Sequence, residues 1–245
     1  MPDTLSFSAE TLTGRSRAHI VDMEDPRCSL HREVVQPLLA MRAAARRAGI
    51  DLVPISGFRD FDRQLAIWNG KCRGERELRG VGGELLDARA LSEEELVDAI
   101  LIWSALPGAS RHHWGTDMDV IDAAAVPAGY VVRLVQEEYA SGGIFSKLNR
   151  WLDDNAGQHG FFRPYGVFRG GFRPEPWHLS YAPVAGVAEQ LFSADLLRQA
   201  LAAAPMDAVD AARRRLPQIM ERYVRNIDPP PAGIAGAAIP GTRLA

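Results

Sequence analysis

The chain alternates between two hydrophobic periods. In residues 31–48, Val34, Val35, Leu38, Leu39 and Met41 recur at helical spacing and Gly49 follows, which predicts a helix with one buried stripe and a glycine stop. IDLVPIS, 50–56, is a short apolar run with β-branched residues and predicts a strand. Asp60 can cap a second helix over about 61–68, with Gly70 stopping it. Residues 71–90 are polar and glycine-rich, with GVGGE at 80–84, and read as a loop or flap. Ser92 and Glu95 form a capping box for a helix through Trp103. LPGAS, 106–110, is a turn, and DMDVID, 117–122, alternates like a strand.

The second half is less regular. Residues 133–155 look helical with a break at Ser141-Gly142-Gly143, and the aromatic-, Arg-, Gly- and Pro-rich segment 160–183 ends in a strand-like WHLSYA. Two alanine-rich helices are expected near 185–203 and 206–226, with Pro217 kinking or restarting the second. No internal repeat is visible. One domain over 1–227 is expected, followed by a Pro/Gly-rich tail, 228–245, either unstructured or laid along the surface.

With 245 residues, 47% hydrophobic and 24% charged, the composition is that of an ordinary globular protein. The net charge of −3 gives no electrostatic reason for a nucleic-acid or anionic-membrane partner. No stretch approaches the roughly 20 apolar residues of a membrane span. The first 26 residues lack a basic segment, an apolar core and a cleavage site. The expectation is a cytoplasmic protein, or a periplasmic one if a leader has been removed. Cys28 and Cys72, far apart, make neither a disulfide framework nor a thiolate metal site.

Any metal must therefore be held by histidine and carboxylate, and SRHHWGTDMDV, 110–120, concentrates both. A catalytic zinc takes three protein ligands and leaves one position open. His112 and Asp119 supply two, and a third is expected from a neighbouring strand. EPWHLSYA offers it in His178, with Glu175 three residues earlier as a general base and Trp177 in the same short connection. Asp117 shares a strand face with Asp119 by the period of two, so it is a rival ligand, a hydrogen-bonding partner of a ligand histidine, or a contact for a substrate amine. His113 is expected to be structural or at the rim. His19, His31 and His159 are expected at the surface or in caps, and Asp122 in a turn.

Ser110, His112, Gly115 and Asp119 followed by Glu175 and His178 form SxHxxGxxxD and ExxH, a pairing that resembles the VanY-type D-alanyl-D-alanine carboxypeptidases. SGFRDFDRQ, 56–64, resembles that family's upstream SGxRxxxxQ segment, and the likeness covers about residues 30–183, leaving 184–227 as additional C-terminal helices. The resemblance implies an α+β fold, with a small antiparallel sheet carrying the site and helices flanking it. It implies one zinc ion on His112, Asp119 and His178, with Asp119 rather than Asp117 at the motif position. Glu175 would act as base and then acid. Arg59 would face the substrate, with Gln64 assisting, and Ser110 would hold the loop or touch substrate. The family often has a small residue where this chain has Asp117. If Arg59 serves the oxyanion, Arg163 or Arg173 is expected to hold the substrate carboxylate, and Trp177 to wall the pocket.

The function so implied is removal of a C-terminal D-alanine from peptidoglycan stem peptides or muropeptides. L,D-cleavage of recycled tetrapeptides is the leading reading, with D,D-cleavage of pentapeptides or endopeptidase action as alternatives. Non-enzymatic wall-peptide binding fits poorly, because a pure binder needs no Glu175.

Overall fold

The computed structural model describes residues 6–234. Outside the predicted elements, the N-terminal segment forms a one-turn helix α1 (Ala9–Leu12) and a hairpin of β1 (Ile20–Glu24) with β2 (Arg27–His31). The first predicted helix is α2 (Val35–Arg47), entered through a 3-10 turn, with Val34, Leu38, Met41 and Ala45 buried. After β3 (Leu52–Ser56), α3 (Phe61–Cys72) starts at the expected cap, where Asp60 accepts the Arg63 N–H at 2.7 Å. It runs through Gly70 rather than stopping there. Glycine costs a helix interior about 1 kcal/mol, and at this position its missing side chain makes room for Arg76, whose Cδ would lie 3.1 Å from a Cβ.

The Ser92–Glu95 capping box opens α4 (Glu93–Leu101), two residues shorter than expected. β4 (Asp117–Asp122), α5 (Gln136–Tyr139), α6 (Ser146–Asn155), β5 (Phe161–Phe162) and β6 (His178–Tyr181) follow. The two long C-terminal helices are instead four: α7 (Ala182–Leu191), α8 (Ala194–Leu201), α9 (Val209–Arg214) and α10 (Leu216–Ile219). α7 ends at Leu191, and Ser193 caps α8, accepting from Leu196 N at 3.3 Å. Pro217 restarts the chain in the first turn of α10, where no N–H is required.

The central sheet has the order β3-β4-β6-β5, antiparallel throughout. β4 is buried along its whole length, so its alternation marks two buried faces rather than a wet one. Met118 and Val120 enter a core with Leu38, Met41, Leu52 and Leu179. Asp117 and Asp119 stand on the other face, where a buried carboxylate must find partners. A second core joins α3, α4 and the C-terminal helices through Trp68, Ile100, Leu197 and Leu216. The architecture is α+β, a small antiparallel sheet with helices around it and further helices at the C-terminal end. No helix among the described residues is long and apolar enough to cross a membrane.

His19 and His31, expected at the surface or in caps, are both buried, and His31 does cap the 3-10 turn that leads into α2. His19 Nε2 lies 3.2 Å from the His113 carbonyl, and its ring is 5.6 Å from that of His31, whose Nδ1 accepts from Glu33 N at 3.2 Å. Burial pushes them down to about 4 and about 3. They are buried because the hairpin folds over the segment that carries His113, a long-range contact that local pattern does not encode. His159 is half-buried. Asp122 caps the turn after β4, accepting from Asp51 N and Ala124 N. The start of the tail lies against the 164–169 loop, with Asp228 N donating to Pro164 O at 2.9 Å. Residues 235–245 of that tail lie outside the described residues.

Candidate active site

Ser110 begins a 3-10 turn, Arg111–Trp114, which Gly115 closes with φ +66°. No other residue fits there, since a Cβ would sit 2.3 Å from Ile20 Cδ1 and 2.7 Å from His31 N. The turn hands the chain to β4 and leaves His112 beside Asp119. Asp119 is paired in register with His178 on β6. The ligand atoms of His112, Asp119 and His178 all lie within 4.8 Å of one another, and all three residues are buried. They form a group able to hold a metal ion.

Hydrogen bonds orient both rings. His112 Nδ1 is 2.8 Å from the Gly57 carbonyl, which fixes Nδ1–H as donor and turns Nε2 towards Asp119, 3.6 Å away. Gly57 itself is required by close approach, as a Cβ would meet Ser29 O at 2.5 Å. His178 Nε2 is 2.9 Å from Asp117 Oδ1, so its Nδ1 faces the Asp119 and Glu175 carboxylates at 3.4 and 3.2 Å. Asp119 Oδ1 is buried and has no hydrogen bond of good geometry. A buried carboxylate that turns Oδ2 to one imidazole nitrogen and an orphaned Oδ1 to another is a donor set that suits a zinc-sized cation.

The electrostatics agree. Burial disfavours a charged His178, but its hydrogen bond to Asp117 and the Asp119 and Glu175 carboxylates beside it outweigh this and hold its pKa well above the ordinary histidine value. Three carboxylates thus converge on one ring and call for positive charge. Burial pulls His112 down to about 4, keeping it neutral and free to donate its lone pair. Burial raises Glu175 above the usual carboxylate range, as a proton-transferring group requires. Its backbone is pinned, with Glu175 N donating to Tyr165 O at 2.8 Å.

One cleft of about 1190 Å³ contains Arg59, Ser110, His112, Asp119, Arg173, Glu175, Trp177 and His178 among its walls. Arg59 donates through Nη1 to Gln64 Oε1 at 2.8 Å, and its backbone latches onto the His112–His113 turn. His113 is structural: its Nδ1 meets Arg59 O and its Nε2 accepts from Gly108 N.

Three expected substrate contacts point elsewhere. Gln64 is fully buried and spans Arg59 and Ala105 O, so it positions the arginine without reaching the cleft. Arg163 pairs with Asp153 and Asn149 and braces Pro176 O at 2.9 Å. Asp117 is fully buried behind His178, which among its three readings leaves that of partner to a histidine.

Arg111 was not anticipated. It is buried, donates to Asp117 Oδ1 and Ser180 Oγ at 2.8 Å each, pairs with Glu189 of α7 and lies over the Trp114 ring. The signal was Asp117 itself, because a second carboxylate buried beside a ligand strand needs a cation. Tyr165, its ring 5.0 Å from that of His178, was hidden in the aromatic segment.

A histidine–aspartate–histidine group beside a partly buried glutamate, lining one open cleft, is the side-chain set of a metal-dependent hydrolase. The chain belongs to the VanY D-alanyl-D-alanine carboxypeptidase family, whose sequence model matches residues 27–184. An uncharacterized protein of Haemophilus influenzae is 36% identical over 121 residues, 49% of this chain and 92% of that one. A D-alanyl-D-alanine carboxypeptidase of Enterococcus faecalis is 29% identical over 58% of this chain and 44% of its own length. Among solved structures, VanYB in complex with D-alanine-D-alanine superposes with a TM-score of 0.49 at 21% identity, covering 70% of this chain and 82% of that chain.

Proposed function

We propose that this protein is a zinc carboxypeptidase that removes the C-terminal D-alanine from peptidoglycan-derived peptides, tetrapeptides in preference to pentapeptides. The observation that carries the reading is the convergence of His112, Asp119 and His178 beside Glu175 in the cleft of a VanY-family chain. Zinc held there would supply a Lewis acid that makes water acidic near neutral pH.

The chain's own residues do the rest. Glu175 takes the proton of the attacking water. As the oxygen adds to the carbonyl carbon and the amide C–N bond breaks, Glu175 returns that proton to the leaving D-alanine amine. Arg59, held by Gln64, donates to the carbonyl oxygen as it becomes anionic, worth up to about 10³-fold for a single donor. Of the two arginines expected to hold the terminal carboxylate, Arg173 is the candidate kept, since its Nε is buried and without a partner among the described residues. Ser110 lines the same cleft, and Trp177 reaches its wall from the core.

Asp117, held ionised by Arg111, fixes the His178 tautomer. Asp117→Asn keeps the shape and weakens that hold, so zinc affinity measured by chelator competition should fall about 10–100-fold. Unchanged affinity would remove Asp117 from this role.

The substrate reading is tested by mass spectrometry of synthetic tetrapeptide and pentapeptide digests. Loss of one alanine from the tetrapeptide, faster than from the pentapeptide, is expected. Faster trimming of the pentapeptide would make the enzyme a D,D-carboxypeptidase, and internal cleavage would make it an endopeptidase.

A further inference from the structure

The charges in the cleft do not balance even with its other acids counted: Glu77 pairs with Arg79, Glu138 is taken up by Tyr130 Oη and the Arg133 and Val135 N–H groups, and the exposed Glu137 offsets no more than the exposed Arg133. With a divalent cation at the metal group, Asp119 and Glu175 are neutralised. Arg59, Lys71 and Arg173 also line the cleft, each partly or largely buried, and none forms an ion pair with a described residue. Arg76, exposed at the mouth beside Lys71, is likewise unpaired among the described residues. The neighbouring Arg79 differs, since Glu77 already pairs with it. A partly buried cation with no counter-ion is unfavourable unless a ligand brings one.

Lys71 stands at the end of α3, where it feels the Glu175 carboxylate together with the positive charges of Arg76, Arg59 and Arg79. Burial pulls its ammonium down to about 8, so it is still charged at neutral pH. If Arg59 serves the carbonyl oxygen and Arg173 the terminal carboxylate, Lys71 is left over. A peptide whose only anion is its C-terminus would leave it uncompensated.

We propose that Lys71 and Arg76 form a second anion subsite, which binds a carboxylate-bearing side chain on the residue just before the scissile bond. The position follows from Lys71 lining the same cleft as Arg59, Glu175 and the metal group, so a substrate seated at the metal has its neighbouring side chain within that cleft. The inference rests on the carboxypeptidase reading and narrows its substrate class to peptides that are acidic at that residue. It also gives a reason for preferring tetrapeptides, because a D-alanine before the cut has no side-chain charge to offer.

The test uses two synthetic tetrapeptides ending in D-alanine, identical except for a carboxylate or a carboxamide on the side chain before the cut. The zinc-loaded full chain should prefer the acid, by about ten- to a hundredfold in kcat/KM for a charge-assisted contact. Lys71→Gln should abolish most of that preference through KM with little change in kcat, and Lys71→Arg should restore it. Arg76→Gln, at an exposed position that cannot unfold the core, should weaken it in part. Equal rates for the two peptides in the wild type, or an undiminished preference in Lys71→Gln, would overturn the subsite. If neither peptide is cleaved, the carboxypeptidase reading falls. Calorimetric binding of both peptides to the Glu175→Gln protein then decides the subsite separately, with tighter binding of the acid supporting it and equal binding refuting it.

Discussion

Glu175→Gln is expected to keep its zinc and lose turnover by about 10²–10⁴-fold, the usual contribution of a positioned acid–base group. The substitution is close to shape-neutral. Glutamine fills the same volume, and the Glu175 backbone stays pinned by Tyr165 O and by the His178 N–H that donates to Glu175 O at 3.1 Å. What disappears is the basic oxygen. In the native site that oxygen lies 3.2 Å from His178 Nδ1, beside the metal group and open to the cleft. Burial raises its proton affinity, so it can both accept a proton from water and give it up to an amine. Metal content and unfolding midpoint measured alongside the kinetics separate chemistry from damage. Near-native turnover would show that another group moves the proton.

The chain displayed some of this on its face. Asp60 and the Ser92–Glu95 box act between side chain and backbone within three residues, and both caps form as the sequence predicts. Asp119 and His178 come together because two strands, each flagged by its own short pattern, pair in register, and the turn before β4 adds His112. The long side chains were less legible. Arg163 and Gln64 sit in motif-rich segments, yet their directions are set by Asp153, Asn149 and Ala105, residues that only the folded chain brings near. Arg111 was overlooked although it adjoins His112, because its partners Asp117, Ser180 and Glu189 come from β4, β6 and α7. The same holds for the burial of His19 and His31 where their hairpin, which the hydrophobic pattern did not announce, packs on the 113–115 segment.

The second large effect is on the metal itself. His178 contributes one of three ligand side chains and is the point where Asp117, Asp119 and Glu175 converge. Removing it should lower zinc affinity beyond the roughly 10–100-fold that loss of a supporting partner costs. Arg111 would still neutralise Asp117 at 2.8 Å, so the fold should survive the substitution. The most direct measurement is elemental analysis of purified, desalted wild-type and His178→Ala protein, with circular dichroism to verify that both are folded. The account predicts close to one zinc per wild-type chain and little or none in the folded variant. Full zinc occupancy in His178→Ala would contradict it.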